Sequence, residues 1–298
     1  MFTDTHCHLY DEYYESVSEI INDSINKGVH SFINAGCDGL SNKEVIEKVS
    51  KYKFMYGVIG IHPEYVLTYT LEDILDIERH LKDEKIVGIG EIGLDYHYDT
   101  LNKDAQKELF IKQLELAKKY DLPVVIHSRE ATEDTINILK KYPTVKGIIH
   151  SFSGSIETAR IYKKMGYKLG INGVVTFKNS HLKEILEEML DIIVLETDAP
   201  YLTPHPYRGT KNSPSYIPLI ASFISDYIGL DINTLSFLTE KNVRDVYKKI
   251  KWGGFIDKEE YINLVNDKIS NFKTKEIMIR QIDNFFAVKK ALIKTSYL

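Results

Sequence analysis

The chain opens on a pattern that could bind a metal, Met1-Phe2-Thr3-Asp4-Thr5-His6-Cys7-His8-Leu9. Side chains alternate along a strand, so His6 and His8 share one face and Cys7 takes the other. Two imidazoles side by side at a strand end form a chelate for a divalent ion. Alone, the pair reads as well as two histidines on a half-buried strand. Later segments add ligand types where short apolar runs end: His62, Glu91, His127, His150 and Asp198. Six residues, His6, His8, Glu91, His127, His150 and Asp198, then supply four imidazoles and two carboxylates. A single catalytic zinc needs about three protein ligands. The surplus, with carboxylates able to bridge, points to a binuclear hydrolytic centre.

The elements that must position these residues follow from periodicity. After the first strand, residues 12–27 carry Val17, Ile20, Ile21 and Ile25 at helical spacing, and Gly28 ends the pattern. Strands are expected over 30–35, 54–61, 86–91, 124–127, 147–150, 167–171 and 192–196. Helices are expected between them over 42–51, 71–81, 106–119, 132–141, 156–165 and 181–189. Eight short apolar strands separated by amphipathic helices predict a parallel sheet closed into a (β/α)8 TIM barrel of the α/β class. Its catalytic residues belong at the C-terminal strand ends, where the candidate ligands lie. Residues 198–215 read as a long Pro-containing loop, and 216–228 and 232–250 as closing helices. The barrel domain is thus expected over 1–250. Residues 251–298 carry two short amphipathic patterns (Tyr261, Leu264, Val265; Ile282, Phe285, Phe286) and read as a helical C-terminal extension.

Composition narrows the class. A chain of 298 residues exceeds the roughly 250 of one such barrel. A net charge of −5 argues against a broad basic face for nucleic acid. It still permits a nuclease whose metal ions supply positive charge locally. Cys7 and Cys37 alone make no disulfide framework, so a cytoplasmic, reducing location is expected. No apolar run reaches the roughly 18 residues of a membrane span. Nothing at the N-terminus reads as a signal peptide, and no protein partner is predicted.

Several segments carry a family resemblance. Thr3-Asp4-Thr5-His6-Cys7-His8-Leu9, Gly60-Ile61-His62-Pro63, Gly90-Glu91-Ile92-Gly93-Leu94-Asp95-Tyr96, Pro123-Val124-Val125-Ile126-His127-Ser128-Arg129, His150-Ser151-Phe152-Ser153-Gly154 and Leu195-Glu196-Thr197-Asp198-Ala199-Pro200-Tyr201-Leu202 occur in order. Together they resemble signatures of the TatD family of metal-dependent deoxyribonucleases, a branch of the amidohydrolase-like barrels, over residues 1 to about 250. The resemblance implies that His6, His8 and Asp198 hold one metal and His127 and His150 the other, with Glu91 bridging. One departure is visible: where family members often read Arg-Gly-x-x-Asn-Glu-Pro, this chain has Ser213 in Arg208-Gly209-Thr210-Lys211-Asn212-Ser213-Pro214.

The reaction expected is hydrolysis of a DNA phosphodiester, exonucleolytic in mode, with DNA as the partner. Asp198 would take the proton of the attacking water, and Glu91 would serve as the second catalytic carboxylate. Arg129 and Arg208 are candidate phosphate contacts, since a guanidinium presents a planar fork to phosphate oxygens. His62 is a candidate substrate contact. Two divalent metal ions are expected as cofactors, with Mg²⁺ favoured by the carboxylates and Zn²⁺ or Mn²⁺ suited to the histidines. The same metal pair could serve a small-molecule amidohydrolase or a D-aminoacyl-tRNA deacylase, which remain the alternatives.

Overall fold

The structure, a computed structural model, describes residues 1–97 and 99–251. Eight parallel strands run in sequence order around one sheet. They are β1 (Phe2–Cys7), β2 (Val29–Ala35), β3 (Met55–Ile59), β4 (Ile86–Asp95), β5 (Val124–Arg129), β6 (Gly147–Ile149), β7 (Lys168–Ile171) and β8 (Ile193–Leu195). Helices α1 (Val17–Asn26), α2 (Gly39–Lys51), α3 (Leu71–His80), α4 (Lys103–Tyr120), α5 (Thr132–Leu139), α6 (Ile156–Met165) and α7 (Leu186–Met189) separate them, and α8 (Ile217–Ile228) and α9 (Ile232–Val246) follow. The ring closes where β1 meets the segment after β8. Cys7 bridges Ala199 in parallel, the His8 N–H donates to Ala199 O at 2.7 Å, and the Thr5 hydroxyl donates to Leu195 O at 2.9 Å. This is the TIM barrel that the strand count predicts.

Burial on both faces explains the near-continuous apolar strands. All ten residues of β4 are buried. Inside the ring, Ile33, Val58, Val87, Val125, Ile148 and Val194 pack together. Tyr247 and Ile250, just past α9, join that cluster. Lys249 Nζ donates to Ile86 O, at the start of β4, at 2.7 Å, so this segment plugs the N-terminal end of the barrel. The C-terminal end stays open.

Several boundaries differ from expectation, each for a local reason. The first helix begins at Val17, not residue 12, because Ser16 caps it and accepts the Glu19 N–H at 3.3 Å. β4 runs past Glu91 to Asp95, because Gly93, Leu94 and Asp95 pair with His127, Ser128 and Arg129 of β5. Residues 181–189 split into a 3₁₀ turn (His181–Ile185) and the single-turn α7. The α9 helix stops at Val246. The C-terminal extension lies outside the described residues. Among the described residues, no helix is long and apolar enough to cross a membrane.

Candidate metal centre

The six ligand candidates meet at the open end. His6, on β1, and His8, just beyond it, bring their Nε2 atoms to 3.1 Å from each other. Glu91 Oε2 lies 3.3 Å from His6 Nε2 and 3.7 Å from His8 Nε2. Asp198 Oδ1 lies 3.7 Å from His6 Nε2, 3.4 Å from His8 Nε2 and 3.7 Å from His150 Nε2. The other Glu91 oxygen, Oε1, stands 2.9 Å from His127 Nδ1 and 3.7 Å from the Nε2 atoms of both His62 and His150. Glu91 is therefore central, with one oxygen toward His6 and His8 and the other toward His62, His127 and His150. The ring of His150 stacks on that of His6 at 3.7 Å, whereas its centroid stands 6.4 Å from His127. His62 is closer to His127, at 4.4 Å.

Local structure explains how these groups are held. Asp198 adopts a left-handed backbone with φ of 58°, a conformation an Asp tolerates better than most residues. Its N–H donates to His6 O at 3.0 Å. Asp4 is fully buried and accepts from the Thr197 N–H at 3.0 Å and from the Thr197 hydroxyl at 2.5 Å. It thereby ties the strand bearing His6 to the turn bearing Asp198. Asn212, also fully buried, donates to Thr197 O at 2.8 Å and folds the long loop back over that turn. Ser213, the departure from the family pattern, caps the 3₁₀ turn Pro214–Tyr216 and touches none of the ligand candidates.

Three further groups orient the imidazoles. His8 Nδ1 lies 3.1 Å from Ala35 O, so it carries the proton and Nε2 faces the centre. His150 Nδ1 lies 3.0 Å from Glu196 Oε1. His127 Nε2 lies 2.9 Å from Asp95 Oδ2. A carboxylate behind a metal-binding imidazole fixes its tautomer and raises its basicity. The sequence reading passed over both carboxylates, although alternation could have exposed Asp95, two pleats beyond Glu91 on the same face of β4. It also passed over Cys37, whose thiol stands 3.8 Å from Glu91 Oε2.

The electrostatics are those of a cation site. Burial pushes the Glu91 carboxyl up, but His150, His6 and His62 outweigh it and hold the group well below the usual carboxylate range. Burial likewise disfavours charge on His150, yet Glu196, Asp198 and Glu91 raise it to about 10. His127, against the same burial, is raised to about 8 by Asp95 and Glu91. His62, with burial and its neighbour His127 both opposing protonation, falls to about 3. His8 too is raised, against burial, by Cys37 and Asp198. A divalent ion among these nitrogens and oxygens would supply the positive charge that the carboxylates otherwise draw onto the imidazoles. Among the described residues, four overlapping groups can offer three ligand atoms to one ion: His6, His8 and Asp198; His6, Glu91 and His150; His62, Glu91 and His127; and His8, Cys37 and Glu91. The donor set thus fits divalent ions.

The remaining substrate candidates separate. Arg129, at the end of β5, is exposed and lines the cavity above the centre. That cavity holds about 580 Å³, with Tyr13, Tyr65 and Tyr201 also on its walls. Arg208 is not on those walls; its guanidinium lies 4.2 Å over the ring of Phe177. His62 lines the cavity and its Nδ1 accepts from the Glu64 N–H at 3.2 Å.

Comparison with known proteins points the same way. The family described as TatD related DNase matches residues 3–248. YabD of Bacillus subtilis, described as an uncharacterized metal-dependent hydrolase, is 40% identical over 253 residues, covering 83% of this chain and 99% of that protein. YcfH of Escherichia coli, with the same description, is 30% identical over 251 residues, covering 80% and 92%. Among solved structures, YjjV, a TatD homolog from Escherichia coli K12, aligns with a TM-score of 0.79 at 26% identity, covering 83% of this chain and 98% of that one.

Proposed function

The chain belongs to the TatD related DNase family, and from that membership we propose that it is a metal-dependent hydrolase cleaving phosphodiester bonds of DNA in the cytoplasm. The observation that carries the reading is Glu91, whose two carboxylate oxygens face separate groups of imidazoles. His6, His8 and Asp198 would hold one divalent ion, His127 and His150 a second, and Glu91 would bridge them. When bound, such ions lower the pKa of water and neutralise charge on phosphoryl oxygens.

The chain's own residues supply the rest. Asp198 takes the proton of the attacking water, on a carboxylate that His150 and His8 hold below the usual range in spite of burial. Arg129 forks the non-bridging oxygens of the scissile phosphate from the cavity wall. His62, kept neutral, contacts the substrate beside His127. A cavity of about 580 Å³ suits a terminal nucleotide better than a continuous duplex, which supports action at strand ends. A second reading, hydrolysis of a D-aminoacyl-tRNA ester, draws on Glu12 and Glu64 at the same cavity, which would attract an ammonium group.

The test uses chelator-stripped protein and end-labelled single- and double-stranded DNA. No cleavage is expected until Mg²⁺, Mn²⁺ or Zn²⁺ is returned, and then release of mononucleotides from the ends. Cleavage that persists in excess chelator would overturn the metal assignment. Turnover of D-aminoacyl-tRNA with DNA left intact would replace the first reading by the second.

A further inference from the structure

The thiol of Cys37 has no part in the chemistry above, yet it lines the same cavity and is partly accessible. Cys37 sits in the loop leaving β2, where neighbours on both sides fix it. Its N–H donates to Ser41 Oγ at 2.9 Å, and its carbonyl accepts from the His62 N–H at 2.7 Å. Cys37 Sγ stands 3.8 Å from Glu91 Oε2, and it lies 3.9 Å from His8 Nδ1, the ring nitrogen turned away from the centre. His8 Nε2 stands 3.7 Å from that same Glu91 oxygen. One ligand atom from each of the three residues lies within 4.8 Å of the others. Around one tetrahedral ion, with sulfur at about 2.3 Å and nitrogen or oxygen at about 2.0–2.2 Å, such atoms would stand roughly 3.3–3.6 Å apart. The contacts to Glu91 Oε2 exceed that by only a few tenths of an ångström.

We propose that Cys37 is a further ligand of the centre, joining His6, His8, Asp198 and Glu91 as the fifth protein ligand of the ion beside His8, a thiophilic divalent ion of the zinc class. The thiol gives its proton to solvent as the sulfur–metal bond forms. Hard Mg²⁺ gains little from sulfur, whereas Zn²⁺ gains much. One thiolate at this position therefore selects the ion, and zinc displaces magnesium as the metal expected beside His8. The other cysteine takes no part: the Cys7 thiol is buried and directed at Ile33 O at 3.6 Å.

This assignment rests on reading the surrounding residues as a metal centre, and Co²⁺ as a probe separates the two. Cobalt held by imidazole and carboxylate gives visible d–d bands, and a cobalt–thiolate bond adds a near-ultraviolet charge-transfer band. Titration of metal-free wild type and of Cys7→Ser is expected to give both. Cys37→Ser should keep the visible bands and lose the ultraviolet one. By competition, its zinc affinity should fall about tenfold or more while Mn²⁺ affinity changes less than about twofold. Visible bands in wild type without the thiolate band would overturn the role of Cys37 and leave the centre standing. No cobalt binding at all would overturn both. The wild-type and Cys7→Ser spectra decide the question even where Cys37→Ser fails to fold.

Discussion

At Glu91, a buried carboxylate meets five imidazoles within 3.7 Å, and its charge is held by their combined field against the cost of burial. Neutralising it removes the carboxylate whose two oxygens face the two halves of the centre separately. Glu91→Gln should therefore lower kcat by about 10²–10⁴-fold and reduce the bound metal, with circular dichroism unchanged. Asp198→Asn should cost a similar factor, because proton transfer by a positioned side chain contributes about that much. Near-wild-type turnover in either variant would remove that residue from the mechanism. Arg129 tests binding apart from metal chemistry. Arg129→Lys keeps the charge and loses the planar fork, so kcat/KM on DNA should fall about 10–100-fold, the worth of a charge-assisted hydrogen bond. Metal content should not change. A rise in KM alone would show a contact made equally in ground and transition states, and equal falls in kcat and kcat/KM would place it in the transition state only.

Strands set where these side chains stand, and β7 shows how closely. A Cβ added at Gly170 would lie 2.0 Å from Glu196 Oε2, so a side chain there must displace the carboxylate behind His150. Glu196 also accepts the Ser151 N–H at 2.6 Å, which anchors the turn after β6. Gly170→Ala should loosen His150 and weaken metal binding by about 10–100-fold, as removing outer-shell partners does. Equilibrium dialysis of the variant against wild type measures this, and unchanged affinity would make Gly170 a matter of strand packing only. The same element explains what could be read in advance. The eight strands and the six ligand candidates were legible, because apolar runs ending in His or a carboxylate are local patterns. Asp95, Glu196 and Cys37 were not, because their roles depend on contacts across strands: Asp95 to His127 on β5, Glu196 to His150 after β6, and Cys37 to Glu91 on β4. The extra length of β4 was hidden for the same reason, since its last residues are strand by virtue of pairing with β5. Arg208, in the loop after β8, is the weaker of the two arginines in sequence, and the loop's path over Phe177 takes it off the cavity wall that Arg129 lines.

For the whole molecule, the two ends of the barrel divide the work: ligands gather at the C-terminal end, and α9 seals and anchors the other. Lys168 at the start of β7 reaches Asn242 Oδ1 at 2.9 Å and Asp245 Oδ2 at 3.2 Å on α9. Close by on the same helix, Glu240 accepts the Thr3 hydroxyl at 3.1 Å. Burial pushes the Glu240 carboxyl up to about 7, against the hydrogen bonds from Thr3 and the charges of Arg244 and the N-terminal amine, which all lower it. An unfolded glutamate titrates near 4.5. Between that pH and about 7, the folded chain holds a proton that the unfolded chain has released. Folding stability must then fall as pH rises through this window and level off above it. Given the group's partial exposure, the loss should be on the order of 1–3 kcal/mol. Glu240→Gln cannot ionise, so its stability relative to wild type should climb across the same window, while the distant metal centre keeps its affinity. Urea denaturation of both proteins at intervals from pH 4.5 to 8 checks the sign. A constant difference between them across that range would show that Glu240 ionises normally and that the N-terminal face of the barrel carries no pH-dependent strain.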